Sequence, residues 1–203
     1  MPRLTEPRKR LLDALMRDTI YDAAVSVLVE HGVERMTMDR VALAAQMGKG
    51  SLYKYFESKE ELLRFVHNKT VTPVLDDLQK IVGSDLPAAE KLDLHLGMLL
   101  KHSAEHAGVF AMLFCDDTTR LIVRPSEHTA LTTAASHLKP IFEQGIREGV
   151  FRPLDTRQMA VMFIGLCTAM IEDGLQRGEM ASAEALKTIL LSTFLQGIVK
   201  PAG

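Results

Sequence analysis

The stretch Met36–Phe56, with the sequence MTMDRVALAAQMGKGSLYKYF, decides the fold of this chain. Its pattern predicts two short helices joined by a tight turn. Thr37 is a good N-cap, because its hydroxyl can accept a hydrogen bond from a free backbone N–H. The turn falls at residues 46–48, and the second helix is predicted over Lys49–Phe56. The first helix has an apolar face at helical spacing, formed by Met38, Val41, Ala42 and Ala45.

The second of these helices has an outer surface that is poor core material. Leu52 and Phe56 are four residues apart, so both can point inward. The same spacing leaves a polar set outside: Lys49, Gly50, Ser51, Tyr53, Lys54 and Tyr55. A short exposed helix with two lysines and two tyrosines is suited to a DNA major groove.

The composition predicts an all-α protein. The 203 residues are 47% hydrophobic and include no tryptophan, while the abundant alanine, leucine and methionine favour helix. We expect no apolar run of membrane-spanning length and find no signal-peptide pattern at the start. The two cysteines are too few for a disulfide framework. These features predict a cytoplasmic protein without a membrane partner.

Positive charge is concentrated in the first third of the chain. Residues 1–69 contain twelve Lys and Arg against ten Asp and Glu, and residues 70–203 contain twelve against sixteen. A basic region on an otherwise acidic chain indicates a specific DNA-binding module joined to a second functional part.

The surrounding pattern divides the chain into two helical domains. A helix is predicted from Arg8 or Leu11 to Glu30, with Gly32 as its stop and an apolar stripe that includes Leu12 and Leu15. These elements form a three-helix DNA-binding domain over residues 1–58. Residues 59–203 form a larger helical domain.

The larger domain begins with a connector helix. Ser58 caps this helix, and Pro73 is expected to kink or end it. Further helices are predicted at Ala88–Ala107, Val109–Phe114, Pro125–Glu148 with a kink or break at Pro140, Asp155–Arg177, and Ser182–Ile198.

The first third of the chain resembles the TetR family of bacterial transcription regulators. It differs from the family's usual pattern at Gln46, where a glycine is usual, and at Gly48, where a serine or another capping residue is common. The resemblance is carried by Ile20–Ala24, Gly32-Val33, Thr37, Val41-Ala42, Ala45, Lys49–Phe56 and Ser58–Leu62.

The resemblance implies a homodimeric repressor that binds a pseudo-palindromic operator in double-stranded DNA. Each recognition helix would enter one major groove, with half-sites about 34–36 Å apart or a multiple of that. Lysines would contact guanine or phosphate, tyrosines would contact phosphate, sugar or thymine methyls, and a glycine would let the backbone approach. The residues implied at the DNA are Thr37, Lys49, Gly50, Ser51, Tyr53, Lys54, Tyr55 and Lys59.

The resemblance also implies that the larger domain dimerises and holds a small-molecule effector, which we expect to be apolar. The dimer would form through the last two helices, at Leu186, Leu190 and Phe194. No cofactor is implied. The pocket residues expected from the pattern are Met98, His102, Phe110, Met112, Phe114, Met162, Phe163, Leu166 and Met170.

Several alternatives remain open. The protein could belong to the same family without a small-molecule inducer, responding to a partner protein, repressing constitutively or activating. His95, His102 and His106 share one helix face, and the last two could bind a metal with Glu105 or Cys115, although a solvated polar stripe is the simpler interpretation. No nucleophile motif or phosphate loop indicates an enzyme, so no catalytic residue is assigned.

Overall fold

A computed structural model describes residues 6–178 and 183–199, and within them the chain is helical. An isolated antiparallel bridge joins Phe151 to Val199, and a π-helical turn covers Ala111–Cys115. The all-α prediction is confirmed. The helices are α1 Glu6–Arg35, α2 Met38–Ala44, α3 Lys49–Leu52, α4 Lys59–Val82, α5 Ala88–Glu105, α6 Ala107–Phe110, α7 Asp117–Arg147, α8 Thr156–Arg177 and α9 Ala183–Ile198.

Several helix ends are set by local side chains. Thr37, Ser58 and Asp155 accept hydrogen bonds from the backbone N–H three residues later, at 3.2, 3.2 and 2.8 Å. Gly178 ends α8 in the left-handed conformation, with φ 70°. Ser182, the predicted cap of α9, lies outside the described residues.

Helix α1 differs from its prediction at both ends. Gly32 does not stop the helix but interrupts it, with φ 73° and ψ 168°, and helical structure resumes to Arg35. The expected apolar stripe is exposed over the first turns of α1, and the buried residues of this helix begin at Ile20. Leu12 and Leu15 are exposed there.

The first core joins α1, α2 and α3 to the start of α4. Leu52, Phe56 and Leu62 lie at its centre, each no more than 2% exposed. Val109 and Leu113 from the α6 region also pack into this core, so it extends past the boundary expected at residue 58.

The second core lies between the end of α4 and helices α5, α7, α8 and α9. Three buried rings meet there: Phe163 lies 5.1 Å from Phe194 and 6.3 Å from Phe142, centroid to centroid. Helix α4 therefore contributes to both cores, with Leu62, Leu63 and Val66 in the first and Leu78 and Ile81 in the second.

The predicted effects of the prolines on the helices are wrong. Pro73 lies within the continuous helix α4, and Pro125 and Pro140 lie within α7. All three are exposed, so water can solvate the carbonyl that loses its partner. Helix α7 begins well before Pro125, because the Asp116 side chain caps the Thr119 N–H at 2.7 Å.

Helix α8 is long and apolar enough to cross a membrane, by length and composition only. The expectation that no run reaches this level is therefore wrong. One side of α8 nevertheless packs into the second core through Phe163, Cys167 and Ile171.

Candidate functional site

The turn between α2 and α3 is compact. The Met47 N–H donates to the Ala42 carbonyl at 2.9 Å, which folds the chain back, and Gln46 lies in the left-handed region with φ 52°. Gly48 precedes α3 in an extended conformation without a side-chain cap.

Helix α3 is shorter than predicted. Regular helix ends at Leu52, and the next residues turn more tightly, with Lys54 N–H donating to the Ser51 carbonyl at 3.2 Å. The Phe56 N–H still reaches the Leu52 carbonyl at 3.1 Å. Leu52 and Phe56 are both buried, as the sequence predicts.

The outer surface of α3 is exposed over most of the predicted set: Lys49, Gly50, Ser51, Tyr53 and Lys54. Tyr55 differs, because its ring is half-buried against the first core, with the Arg17 guanidinium 5.8 Å from its centroid. We call the five exposed residues the α3 surface. Tyr55 therefore has a packing role in addition to its predicted DNA contact.

Lys49 is paired with Asp39 of α2. Its ammonium lies 2.7 Å from Oδ1 of Asp39 and donates a hydrogen bond to Oδ2 at 3.0 Å, and this hydrogen bond and the carboxylate charge raise the pKa of Lys49. Both side chains are more than half exposed, so the pair adds little stability. Sequence reasoning missed Asp39 as a neighbour of the α3 surface, although its place in the first turn of α2 was visible.

Thr37 and Lys59 both make contacts at helix ends. The Thr37 oxygen accepts from the Arg40 N–H, which leaves its hydroxyl hydrogen free to donate. Lys59 donates to the Val33 carbonyl and so connects the start of α4 to the end of α1. Their predicted phosphate contacts stay predictions.

A cavity of about 120 Å³ lies between α4, α5, α7 and α8. Of the nine expected pocket residues, Phe110, Phe114 and Phe163 line it. The other lining residues were not among the nine expected: Val71, Val74, Leu75, His95, Leu99, Ala134, Ile164, Cys167, Thr168, Ile171 and Glu172.

The other six expected pocket residues do not line the cavity. Met98 and Met170 pack against the second core, Met112 packs against the first core, and the His102 Nε2 lies 2.8 Å from the Thr70 carbonyl oxygen. Two more residues lie on the outer face of α8, because they precede the buried Phe163 and Cys167 by one position: Met162 is 51% exposed and Leu166 is 40% exposed.

The three histidines of α5 have different surroundings. His95 lines the cavity and is 5% exposed, and burial lowers its pKa to about 4. The ring of His106 lies 4.5 Å from that of His102. Across residues 6–178 and 183–199, no three potential ligands converge on a metal site.

A charged group adjoins the cavity through Glu172, which lines it. Arg120 Nη2 lies 3.1 Å from Oε1 of Glu172 and 3.6 Å from Oε1 of Glu127. The first of these contacts lacks hydrogen-bond alignment, so the buried Glu172 Oε1 has no hydrogen-bond partner among the described residues.

The residues expected at the dimer interface lie elsewhere. Leu190 and Phe194 are 2% and 6% exposed inside the second core, and Leu186 packs half-buried against it. The exposed side of α8 and α9 carries other apolar residues, which we call the α8–α9 face: Val161, Met162, Leu166 and Ile189. Leu190 and Phe194 therefore stabilise the single chain and leave little surface for a partner, while the role of Leu186 in a dimer stays a prediction.

Comparison with known proteins gives a family match in the DNA-binding region. Residues 20–66 match the model of the bacterial regulatory proteins, tetR family. The chain is 26% identical over 193 residues to the HTH-type transcriptional repressor KstR2 of Mycolicibacterium smegmatis. The alignment covers 94% of each chain.

Solved structures share the whole fold. The SmeT–triclosan complex superposes with a TM-score of 0.80 at 18% identity, covering 93% of each chain. FadR from Bacillus subtilis in complex with stearoyl-CoA superposes with a TM-score of 0.75 at 22% identity, covering 89% of this chain and 98% of that one. At these identities the likeness concerns the fold.

Proposed function

The chain belongs to the TetR family of bacterial regulatory proteins, and we propose that it is a repressor that binds operator DNA as a homodimer and is released by a small molecule. It is a transcription regulator, as its relatives are. One observation carries the proposal: a single helix, α4, contributes both to the core under the α3 surface and to the wall of a partly open apolar cavity.

The α3 surface is the proposed DNA contact. Lys49 and Lys54 supply positive charge for guanine or phosphate, while Ser51 and Tyr53 supply hydroxyl donors. A Cβ added to Gly50 would meet no protein atom within 4 Å, so close approach of DNA is the constraint we infer there. Tyr55 would contact DNA with the part of its ring left exposed.

Phosphate contacts flank this surface. Thr37 has its hydroxyl hydrogen available, and Lys59 has two ammonium hydrogens beyond the one donated to Val33. The Asp39 carboxylate repels phosphate. For Lys49 to contact DNA, its ammonium must leave Asp39 and pair with a DNA group instead.

The cavity supports release by a ligand. Val71, Val74 and Leu75 of α4 form part of its wall. Ligand pockets for drug-sized molecules occupy roughly 300–1,000 Å³, so such a molecule would enlarge this 120 Å³ cavity by moving helices. Displacement of α4 would change the separation of the two α3 helices in the dimer and weaken operator binding.

The effector class follows from the cavity wall, which is mostly apolar. The solved relative FadR binds stearoyl-CoA, which carries a long apolar chain, and SmeT was solved with triclosan. An effector with an apolar body is consistent with both. A regulator that responds to a partner protein, activates or represses constitutively is the alternative, and it would bind operator without response to such molecules.

The α8–α9 face is the proposed dimer seam. Val161, Met162 and Leu166 on α8 are exposed, as is Ile189 on α9, and packing of these helices against their copies across a two-fold axis would form a four-helix bundle. This seam also accounts for an apolar helix with an exposed side, so we place the protein in the cytoplasm at the nucleoid and propose no membrane partner.

The test of DNA binding is a fluorescence anisotropy titration with an operator selected from random duplexes. Lys54→Ala should weaken binding by about 1–3 kcal/mol while the circular dichroism spectrum stays unchanged. Lys139→Ala, an exposed lysine on α7, is the matched control and should have no effect. Equal affinity of both variants and the wild type would rule out this surface.

A further inference from the structure

The polar groups on the cavity wall are few and lie on two helices. His95 comes from α5, and Thr168 and Glu172 come from adjacent turns of α8. Apart from the Cys167 thiol, the other lining side chains are apolar. The polar groups therefore decide which apolar molecules the cavity prefers.

His95 is a buried polar group without a partner. It is 5% exposed, makes no hydrogen bond within the described part of the chain, and its ring lies 6.4 Å from that of Phe163. Its low pKa keeps the ring neutral near pH 7, so one ring nitrogen can donate and the other can accept. A ligand in the cavity can therefore hydrogen-bond to either ring nitrogen of His95.

Glu172 is the one carboxylic side chain among the described residues that line the cavity. The nearest positive group, Arg120, is not part of the lining and is shared with Glu127. Two carboxylates therefore compete for one guanidinium. The Glu172 carboxylate also acts on the nearby Cys115 thiol, whose pKa is raised by burial and then by Glu172, while Arg120 lowers it by less.

His95 and Glu172 lie well apart on the cavity wall. His95 packs beside Phe163, and Glu172 follows Phe163 by nine residues on the same helix, which corresponds to about 13 Å along the axis of α8. The apolar wall between them includes Cys167 and Ile171.

Building on the proposed ligand-responsive function, we propose that the effector is an elongated lipophilic cation. Its apolar body lies along α8, its ammonium group pairs with Glu172, and a hydroxyl or similar group hydrogen-bonds to His95. When the cation binds, Arg120 keeps Glu127 as its partner. A narrow chain suits a cavity of 120 Å³ better than a fused-ring compound does.

Three probes with the same ten-carbon chain test this inference: aminodecanol, decanediol and hydroxydecanoate, which carry a cation, a neutral group and an anion opposite a common hydroxyl. Each is assayed for its effect on the melting temperature and on operator release. The expected result is that aminodecanol acts at a concentration about tenfold lower than decanediol, equivalent to 1.4 kcal/mol, and that hydroxydecanoate is weakest.

Variants assign this preference to Glu172. Glu172→Gln should abolish the advantage of aminodecanol over decanediol, while Asp173→Asn should retain it, because Asp173 is exposed and pairs with Arg177 at 3.0 Å. The probe series on the wild-type protein stays informative even if Glu172→Gln fails to fold.

Other outcomes would overturn the inference. These are that decanediol or hydroxydecanoate acts at least as strongly as aminodecanol, or that no probe raises the melting temperature. Operator binding by the ligand-free protein, measured in the same titration, tests the proposed function separately.

Discussion

At the scale of single residues, Gln46 holds a backbone conformation that favours glycine. Its φ is 52°, and among the described residues it is the one non-glycine residue with a positive φ. The turn requires this conformation, because the Gln46 and Met47 N–H groups donate to the Leu43 and Ala42 carbonyls at 3.0 and 2.9 Å. The glycine usual in the family at this position therefore has a physical explanation.

Gln46→Gly should stabilise the protein. A left-handed conformation costs a residue with a Cβ about 1–2 kcal/mol, and the greater freedom of glycine in the unfolded chain offsets part of this gain. We expect the free energy of unfolding, measured by urea denaturation, to rise by about 0.5–1 kcal/mol. Gln46→Ala keeps the Cβ and should bring no such gain. A glycine variant no more stable than the alanine variant would contradict this explanation.

At the scale of elements, the end of α7 is locked to the loop that follows it. The Val150 and Phe151 N–H groups both donate to the Gly145 carbonyl at 3.0 Å. The Phe151 ring covers Gly145 so closely that an added Cβ would lie 2.1 Å from it. Phe151 is 2% exposed and packs 6.2 Å from Phe142, so it cannot move aside without disturbing the second core.

Gly145→Ala should therefore destabilise the protein by about 1–3 kcal/mol, despite the better helix propensity of alanine. Thermal unfolding measures this effect. Gly197→Ala is the matched control, because a Cβ at Gly197 in α9 would meet nothing within 4 Å. A Gly145→Ala variant as stable as the control would mean that the ring adjusts freely.

At the scale of the whole molecule, helices α8 and α9 each have two apolar sides with different roles. Phe163 and Leu190 face the second core, whereas Met162, Leu166 and Ile189 face outward. Burial of the outward set in a two-fold bundle would hold two α3 surfaces at a fixed separation, which operator binding by a dimer requires.

Leu166→Glu should give a folded monomer that binds operator weakly, because the charge would be buried only in the dimer. Leu190→Glu should instead reduce helicity and stability, since the charge would lie within the core of one chain. Light scattering and circular dichroism distinguish the two results. A Leu166→Glu protein that remains dimeric would exclude this seam.

Local signals in the sequence were sufficient for much of the fold. Helical periodicity, the caps at Thr37, Ser58 and Asp155, and the glycine stop at Gly178 act over a few residues, so they could be recognised without tertiary structure. The pattern of Lys49–Phe56 likewise separated buried Leu52 from its exposed neighbours. The predicted effects of the prolines are wrong, because the cost of a proline in a helix depends on whether the affected carbonyl faces water.

The sequence by itself determined the helical class, the helix-turn-helix and the outward set on α3, because each rests on spacing within one short segment. Only the tertiary structure decided which side of α8 faces the cavity and which faces outward, and that Leu190 and Phe194 belong to the core. Both sides of α8 are apolar, so helical periodicity cannot show which side is buried in the chain. Their roles depend on how α8 is rotated against α5, α7 and α9, which are distant in sequence.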